Sequence, residues 1–552
     1  MRAKERLLLE LDLTRGVVET PPGSPLRAPG TRQVPVLQAL LDALGRAADD
    51  RHVAGLVAHI GQRPISLAHA GELRDAVRRF RASGKPAVAW TESFGELTAG
   101  NVGYHLASAF EEIWLQPSGD LGLTGVSARA VFLRDALDRI GVEPQIAQRH
   151  EYKTAADTFL RSTMTDAGRE MARRLAESAT ETIVANVAEA RGLDEASVRA
   201  IVDRAPLTAP EALDAGLVDR IGYRDEVLSG LRARLGETRL LYLDRYGRGR
   251  ERRTALANAV MHRRRPVVAL VRASGPIHLG RAGRWPGPSV GSDTLGATLR
   301  AAGRDASVKA VVLRVDSPGG SYTASDAIRR EVLALRATGR PVVASMGAVA
   351  ASGGYYVAMP CDAVVASPAT LTGSIGVLGG KQVTRDALGR VGVRVDSEAV
   401  GAHAEMFSTQ RPFTDEEWNR LEGWLDRVYE DFTEKAAADR WMDVEALRAV
   451  ARGRVWTGAD ALAHGLVDRL GGLDDALDHA CERAGLRREG VDVRPLPRVT
   501  PLGRMRPPRS SEQPAAASAA LGDLRLPAGV LTALGLPPYA GVLTLPVTWQ
   551  LS

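Results

Sequence analysis

The sequence predicts an α/β protein built as two tandem copies of one domain. Two observations carry this. Matching blocks recur at a nearly constant interval, and short apolar runs alternate with stretches of helical periodicity. Val53–Ile60 matches Val308–Val315, and Ala82–Ala89 matches Ala337–Ala344. Arg134–Val142 matches Arg385–Val393, and Ala215–Gly222 matches His464–Gly471. The 552 residues also exceed what one ordinary core supports.

Within each copy the elements follow in order. Ala310–Val315 and Pro341–Ala344 are apolar runs of the kind buried on both faces of a sheet. Between them, Ser325–Thr338 places Ile328, Val332 and Leu335 on one helical face. A strand–helix–strand unit of this length predicts a right-handed crossover and a parallel sheet. Long helices are expected over Asp166–Arg191 and Asp415–Arg440, each capped by the preceding threonine, Thr165 or Thr414. The expected boundaries are an N-terminal segment (1–52), a first repeat (53–246), an arginine-rich connector (247–266) and a second repeat (267–486). A Pro/Arg/Ser/Ala-rich stretch (487–525) is expected to be disordered, and an apolar tail (526–552) follows.

Composition narrows the function. The net charge of +6 is small for this length, and the positives are scattered apart from Arg248–Arg253 and His262–Arg265, so no nucleic-acid partner is expected. Two distant cysteines, Cys361 and Cys481, form neither a disulfide framework nor a zinc motif; no metal or other cofactor is expected. Leu7–Leu9 is too short for a signal-peptide core or a membrane span. The tail has no charged residue, but Pro527, Pro537, Pro538 and Pro546 argue against a spanning helix. It is expected to pack on the body, with peripheral membrane contact as the alternative.

The chain is almost free of lysine: Lys4, Lys85, Lys153, Lys309, Lys381 and Lys435 stand among 72 basic residues. Arginine cannot give up its proton in a protein, whereas a buried lysine can. Lys153, in the first repeat, is therefore a candidate general base. Ser352 lies in the second repeat among small residues (Ala350, Ala351, Gly353, Gly354) and is the candidate nucleophile. Pro318-Gly319-Gly320 follows a strand end and offers backbone N–H groups. The amides of Gly320 and Gly353 are assigned to an oxyanion hole, and the Ser374 hydroxyl to orienting the lysine. An apolar substrate pocket is expected from Met346, Val349 and Leu378. The repeats are complementary: Asn101 falls opposite Ser352, Arg63-Pro64-Ile65 falls opposite the glycine turn, and no lysine lies opposite Lys153. A duplicated enzyme reduced to one divided site has this pattern.

At these residues the chain resembles the signal peptide peptidase A (protease IV) family in its long, duplicated bacterial form, over about Val53 to Leu477. The resemblance rests on Asp316–Gly320, Ala351–Tyr355, Thr372–Val377, Gly453–Gly458 and the Glu151-Tyr152-Lys153 block. It implies tandem Clp protease/crotonase-like domains, with the serine in the C-terminal half and the lysine in the N-terminal half. It further implies a homotetramer around an enclosed bowl, acting on leftover signal peptides and other extended apolar peptides. Long-form members carry an N-terminal membrane anchor that is not seen in this sequence. A membrane-associated or cytoplasmic location is expected, with the tail as alternative attachment.

Three other readings make different predictions. A crotonase-like acyl-CoA enzyme would bind acyl-CoA. A Ser–His–Asp peptidase would draw its base from His150 or His403 and level off near neutral pH, where a lysine base predicts a rise into alkaline pH. An inactive scaffold would leave Ser352 unlabelled by a fluorophosphonate.

Overall fold

In the computed structural model, which describes residues 6–20, 34–247, 265–282, 288–497, 543–544 and 550–551, both repeats carry a parallel ladder with one strand order. The first uses β1 (Arg6–Asp12), β2 (Val53–His59), β3 (Ala87–Thr91), β4 (Glu112–Leu115), β6 (Arg220–Ile221) and β7 (Thr238–Tyr242), arranged β7-β1-β2-β3-β4-β6. A further strand, β5 (Glu143–Gln148), leaves this sheet.

The second ladder uses β8 (Val267–Ser274), β10 (Val308–Ser317), β12 (Val342–Ala351), β13 (Ala363–Ala366), β17 (Arg469–Leu470) and β18 (Asp492–Leu496). Its order, β18-β8-β10-β12-β13-β17, repeats the first strand for strand. Beyond the end of β12 it adds β14 (Leu371–Gly373), followed by the antiparallel β16 (Val455–Thr457). The short strands β9 (Ile277–His278) and β11 (Gly319–Gly320) pair beside it.

The repeats share a core. Along β8 the side chains alternate: Val268 and Leu270 join the cluster that holds the first repeat together, while Val267, Ala269 and Val271 face the second repeat's own core. Helix α1 (Leu67–Ala82) of the first repeat and α5 (Leu473–Arg483) cover the former face. Helices α2 (Asp166–Arg191) and α4 (Asp415–Asp439) begin where the sequence placed them. Thr165 Oγ1 accepts from Gly168 N at 3.1 Å, and Thr414 Oγ1 from Glu417 N at 3.2 Å.

Several expected boundaries shift. Arg6–Asp12, inside the expected N-terminal segment 1–52, belongs to the first sheet: β1 lies between β7 and β2 with Leu8, Leu9 and Leu11 buried, as so apolar a run requires. The second repeat likewise extends beyond 486, because Asp492–Leu496 pairs with β8. Strand β12 reaches Ala351, well past the apolar run Pro341–Ala344 read from the sequence. The connector's residues 248–264 and the stretch 498–525 lie outside the described residues. In the tail, the backbone of β19 (Leu543–Thr544) runs antiparallel to β11, and Gln550–Leu551 pairs with Ala128–Arg129. Among the described residues, no helix is long and apolar enough to cross a membrane.

Candidate active site

Ser352 sits between β12 and α3 (Gly353–Ala358), fully buried, with φ 56° and ψ −117°. That backbone is strained for any residue but glycine, and such strain is typical of a nucleophile thrust out of a strand–helix turn. Two contacts hold it. Ser352 N donates to Gly373 O at 2.8 Å, and Tyr356 N donates to Ser352 O at 2.9 Å. Gly354 is obligatory because a Cβ there would stand 2.4 Å from Ser317 O.

Lys153 arrives from the other repeat. Strand β5 pairs antiparallel with β15 (Leu378–Val383) across the domain boundary, Gln148 opposite Leu378. The chain then turns through His150 at φ 64°, while Arg149 N donates to Val377 O at 2.9 Å and the Arg149 guanidinium to Glu422 O at 2.7 Å and to Asp426. A Cβ on Gly453 would lie 2.6 Å from Lys153 N and Cβ, so only glycine lets the two segments pass. Gly376 packs against the lysine stem in the same way, its own Cβ position 3.3 Å from Lys153 Cδ.

The fully buried Lys153 Nζ lies 2.8 Å from Ser352 Oγ, 3.0 Å from Ser374 Oγ and 3.1 Å from Ser374 O. Burial alone pushes its pKa down from 10.5 to about 7, with no charged group opposing or assisting. A neutral amine suits the contacts: two N–H donors for the two Ser374 oxygens, and one lone pair toward the Ser352 hydroxyl. Ser374, at φ 51°, is itself fixed by its N donating to Arg454 O at 2.7 Å.

The glycines converge too. The Cβ position of Gly353 falls 3.1 Å from Gly320 N, and that of Gly320 only 2.0 Å from Ile277 O, at φ 152°. All five residues singled out from the sequence therefore meet at one place. The alternative bases do not: His150 stacks on Tyr429 at 4.5 Å, and His403 pairs with Glu416 at 3.4 Å. The expected pocket needs correction. Met346 is fully buried in the second core and Leu378 is nearly so, because both belong to paired strands. Val349 instead packs with Tyr152 against Met171, Leu175, Ala351, Leu371 and Val455, a small apolar cluster flanking both Ser352 and Lys153. Sequence reasoning missed Gly354, Gly376 and Gly453 as requirements of the site. All three lie in the blocks that carry the family resemblance, Ala351–Tyr355, Thr372–Val377 and Gly453–Gly458, which was the signal available; their close approaches exist only in the fold.

Residues 79–237 and 334–487, one stretch in each repeat, match the family model described as Peptidase family S49. Protease 4 of Salmonella typhi is 34% identical over 470 residues, spanning 82% of this chain and 73% of its own length. Serine protease SPPA, chloroplastic, of Arabidopsis thaliana is 32% identical over 457 residues, spanning 82% of this chain and 66% of its own. Protease 4 of Haemophilus influenzae is 30% identical over 466 residues, spanning 81% and 73%. With both repeats matched and identity sustained over four-fifths of its length, the chain belongs to peptidase family S49, in its duplicated form, and is a serine peptidase.

Proposed function

We propose that this peptidase is an endopeptidase with a Ser352–Lys153 dyad, hydrolysing extended apolar peptides such as cleaved signal peptides through an acyl-enzyme. The observation that carries the reading is the 2.8 Å approach of Nζ to Oγ in a pocket where burial lowers the amine's pKa to about 7, so that the neutral form predominates above that pH. Neutral Lys153 takes the Ser352 proton as Oγ attacks the peptide carbonyl. The resulting oxyanion lies between the Gly320 and Gly353 amides. Protonated Lys153 then gives its proton to the leaving amine as the C–N bond breaks. Water, deprotonated by the same amine, attacks the ester; the acid product leaves and Oγ recovers its proton. No cofactor enters these steps.

Two features support an extended apolar substrate. The β11 edge pairs in antiparallel fashion with a strand of this same chain, Leu543–Thr544, so the strand bearing the glycine pair accommodates extended backbone. Val349 and Tyr152, only partly buried where they pack on the Met171 cluster, supply apolar surface beside the nucleophile. Fluorophosphonate labelling, with the adduct mapped by mass spectrometry, tests the reading alongside cleavage of a signal-peptide substrate. Ser352 is the expected labelled residue; an unlabelled Ser352 in active protein overturns the dyad.

Two variants probe the supporting groups. Ser374→Ala removes one of the two oxygens that orient the amine and lowers kcat about tenfold with little change in KM. Gly320→Ala forces a Cβ into Ile277 O and displaces an oxyanion donor, lowering kcat about 10²–10³-fold. Steady-state kinetics on folded variants check both. The proposed assembly is a homotetramer, tested by light scattering. Peripheral membrane attachment through the tail is tested by vesicle flotation with and without residues 526–552.

A further inference from the structure

Asp316 lies just before the glycine turn, opposite an irregularity in β12. Val315 pairs with Met346, but Ser317 pairs with Ala350, so β12 advances further than β10 between the two pairs. The bulge at 347–349 leads straight into Ala350, Ala351 and Ser352. Asp316 Oδ1 accepts a hydrogen bond from Val349 N at 3.1 Å. Gly347 must lack a side chain, since its Cβ would stand 2.9 Å from Asp316 Cβ and Oδ1. This carboxyl group therefore holds the bulge that aims the nucleophile.

Behind Asp316 stands a buried network supplied largely by the first repeat. Arg314, with no exposed surface, donates to Glu19 through Nε and Nη2, both at 3.0 Å. It donates to Glu72 at 2.6 and 3.3 Å, to Ser345 Oγ at 3.0 Å and to Met346 O at 3.2 Å. Glu72 also accepts from Leu473 N at 2.8 Å, tying in α5. His69 Nε2 stands 3.2 Å from Glu19 Oε2. One atom each of Glu19, His69 and Asp316 lies within 4.8 Å of the other two. Arg314 already supplies the positive charge that a cation would bring to Glu19. Burial opposes a charge on His69, but its contact with Glu19 and the nearby Asp316 outweigh burial and raise its pKa.

We propose that Asp316 is a positioning residue for Ser352, held in place by His69, which Glu19 in turn anchors, so that the first repeat governs the nucleophile's geometry as well as supplying its base. The inference rests on Ser352 being the nucleophile. Isolated sequence gives no reason to connect His69 with Ser352; the connection exists because α1 packs on the second repeat's sheet.

The test uses the full chain and compares wild type with Asp316→Ala, Asp316→Asn and His69→Gln. It reads the fluorophosphonate labelling rate of Ser352, kcat and KM on a fluorogenic peptide, and the thermal midpoint. Asp316→Ala is expected to slow labelling and kcat at least about tenfold with KM little changed, as small misplacements of a reacting group do. Asp316→Asn retains an acceptor for Val349 N and is expected to restore most of the rate. His69→Gln is expected to fall between them. Wild type that is not labelled defeats the nucleophile assignment itself, a separate result. Wild type that is labelled, with Asp316→Ala reacting at the same rate, overturns the positioning role. Should Asp316→Ala not fold, His69→Gln decides: wild-type labelling overturns the proposal, and slowed labelling at unchanged KM supports it.

Discussion

Lys153→Arg leaves the peptidase as inactive as Lys153→Ala, with kcat down by about 10⁴-fold or more and the fold intact. Arginine keeps its proton at every working pH, so it offers Ser352 no lone pair. General-base removal alone accounts for about 10²–10⁴, and residues acting as one unit lose more than separate contributions suggest. Wild-type activity rises with pH through about 7 and then levels, because burial depresses the amine from 10.5 to about 7. The sequence led us to expect that rise in the alkaline range. Desolvation moves it to where a histidine would titrate, so the arginine variant separates the two bases and the pH profile does not. Stability moves in the same direction. Between pH 7 and 10.5 the unfolded chain binds one proton more than the folded one, so stability increases with pH across that window. Lys153→Met removes the slope and raises the thermal midpoint at pH 7, while abolishing turnover. Calorimetry at pH 7 and pH 9 checks this, and a midpoint that falls with the Met substitution would contradict a strained, desolvated amine.

Ser352→Ala removes the nucleophile and lowers kcat by about 10⁶-fold, leaving only the residual catalysis of oriented donors. Peptide binding survives, because the β11 edge and the apolar cluster around Val349 are untouched. The thermal midpoint stays close to wild type; the φ of 56° is unfavourable for alanine as for serine, so the substitution relieves no strain. The variant should therefore trap substrate. Equilibrium binding of a labelled apolar peptide, measured alongside residual turnover, checks both halves. Substantial turnover by purified Ser352→Ala would transfer the nucleophile to another residue.

The duplication was legible at positions that repeat in type, such as Ala82–Ala89 against Ala337–Ala344. It was illegible for Arg6–Asp12 against Val267–Ser274, which hold equivalent central places in their sheets yet share little beyond being apolar. A strand buried on both faces asks only for apolar side chains of fitting size, so identity there drifts while topology persists. Asp316 was visible only as part of a turn motif. Its contact with Val349 N depends on a bulge that no sequence periodicity encodes.

The amino-acid order alone determined the chemical inventory: one serine among glycines, six lysines in a chain of arginines, and two repeats each missing what the other keeps. Tertiary structure decided whether that inventory is a site. The pairing of β5 with β15 carries Lys153 across the domain boundary to a serine 199 residues away. Packing then strips the amine of water. Proton affinity and nucleophile geometry depend on solvent exclusion and on neighbours brought together by folding, so they come into existence only when the two halves close on each other.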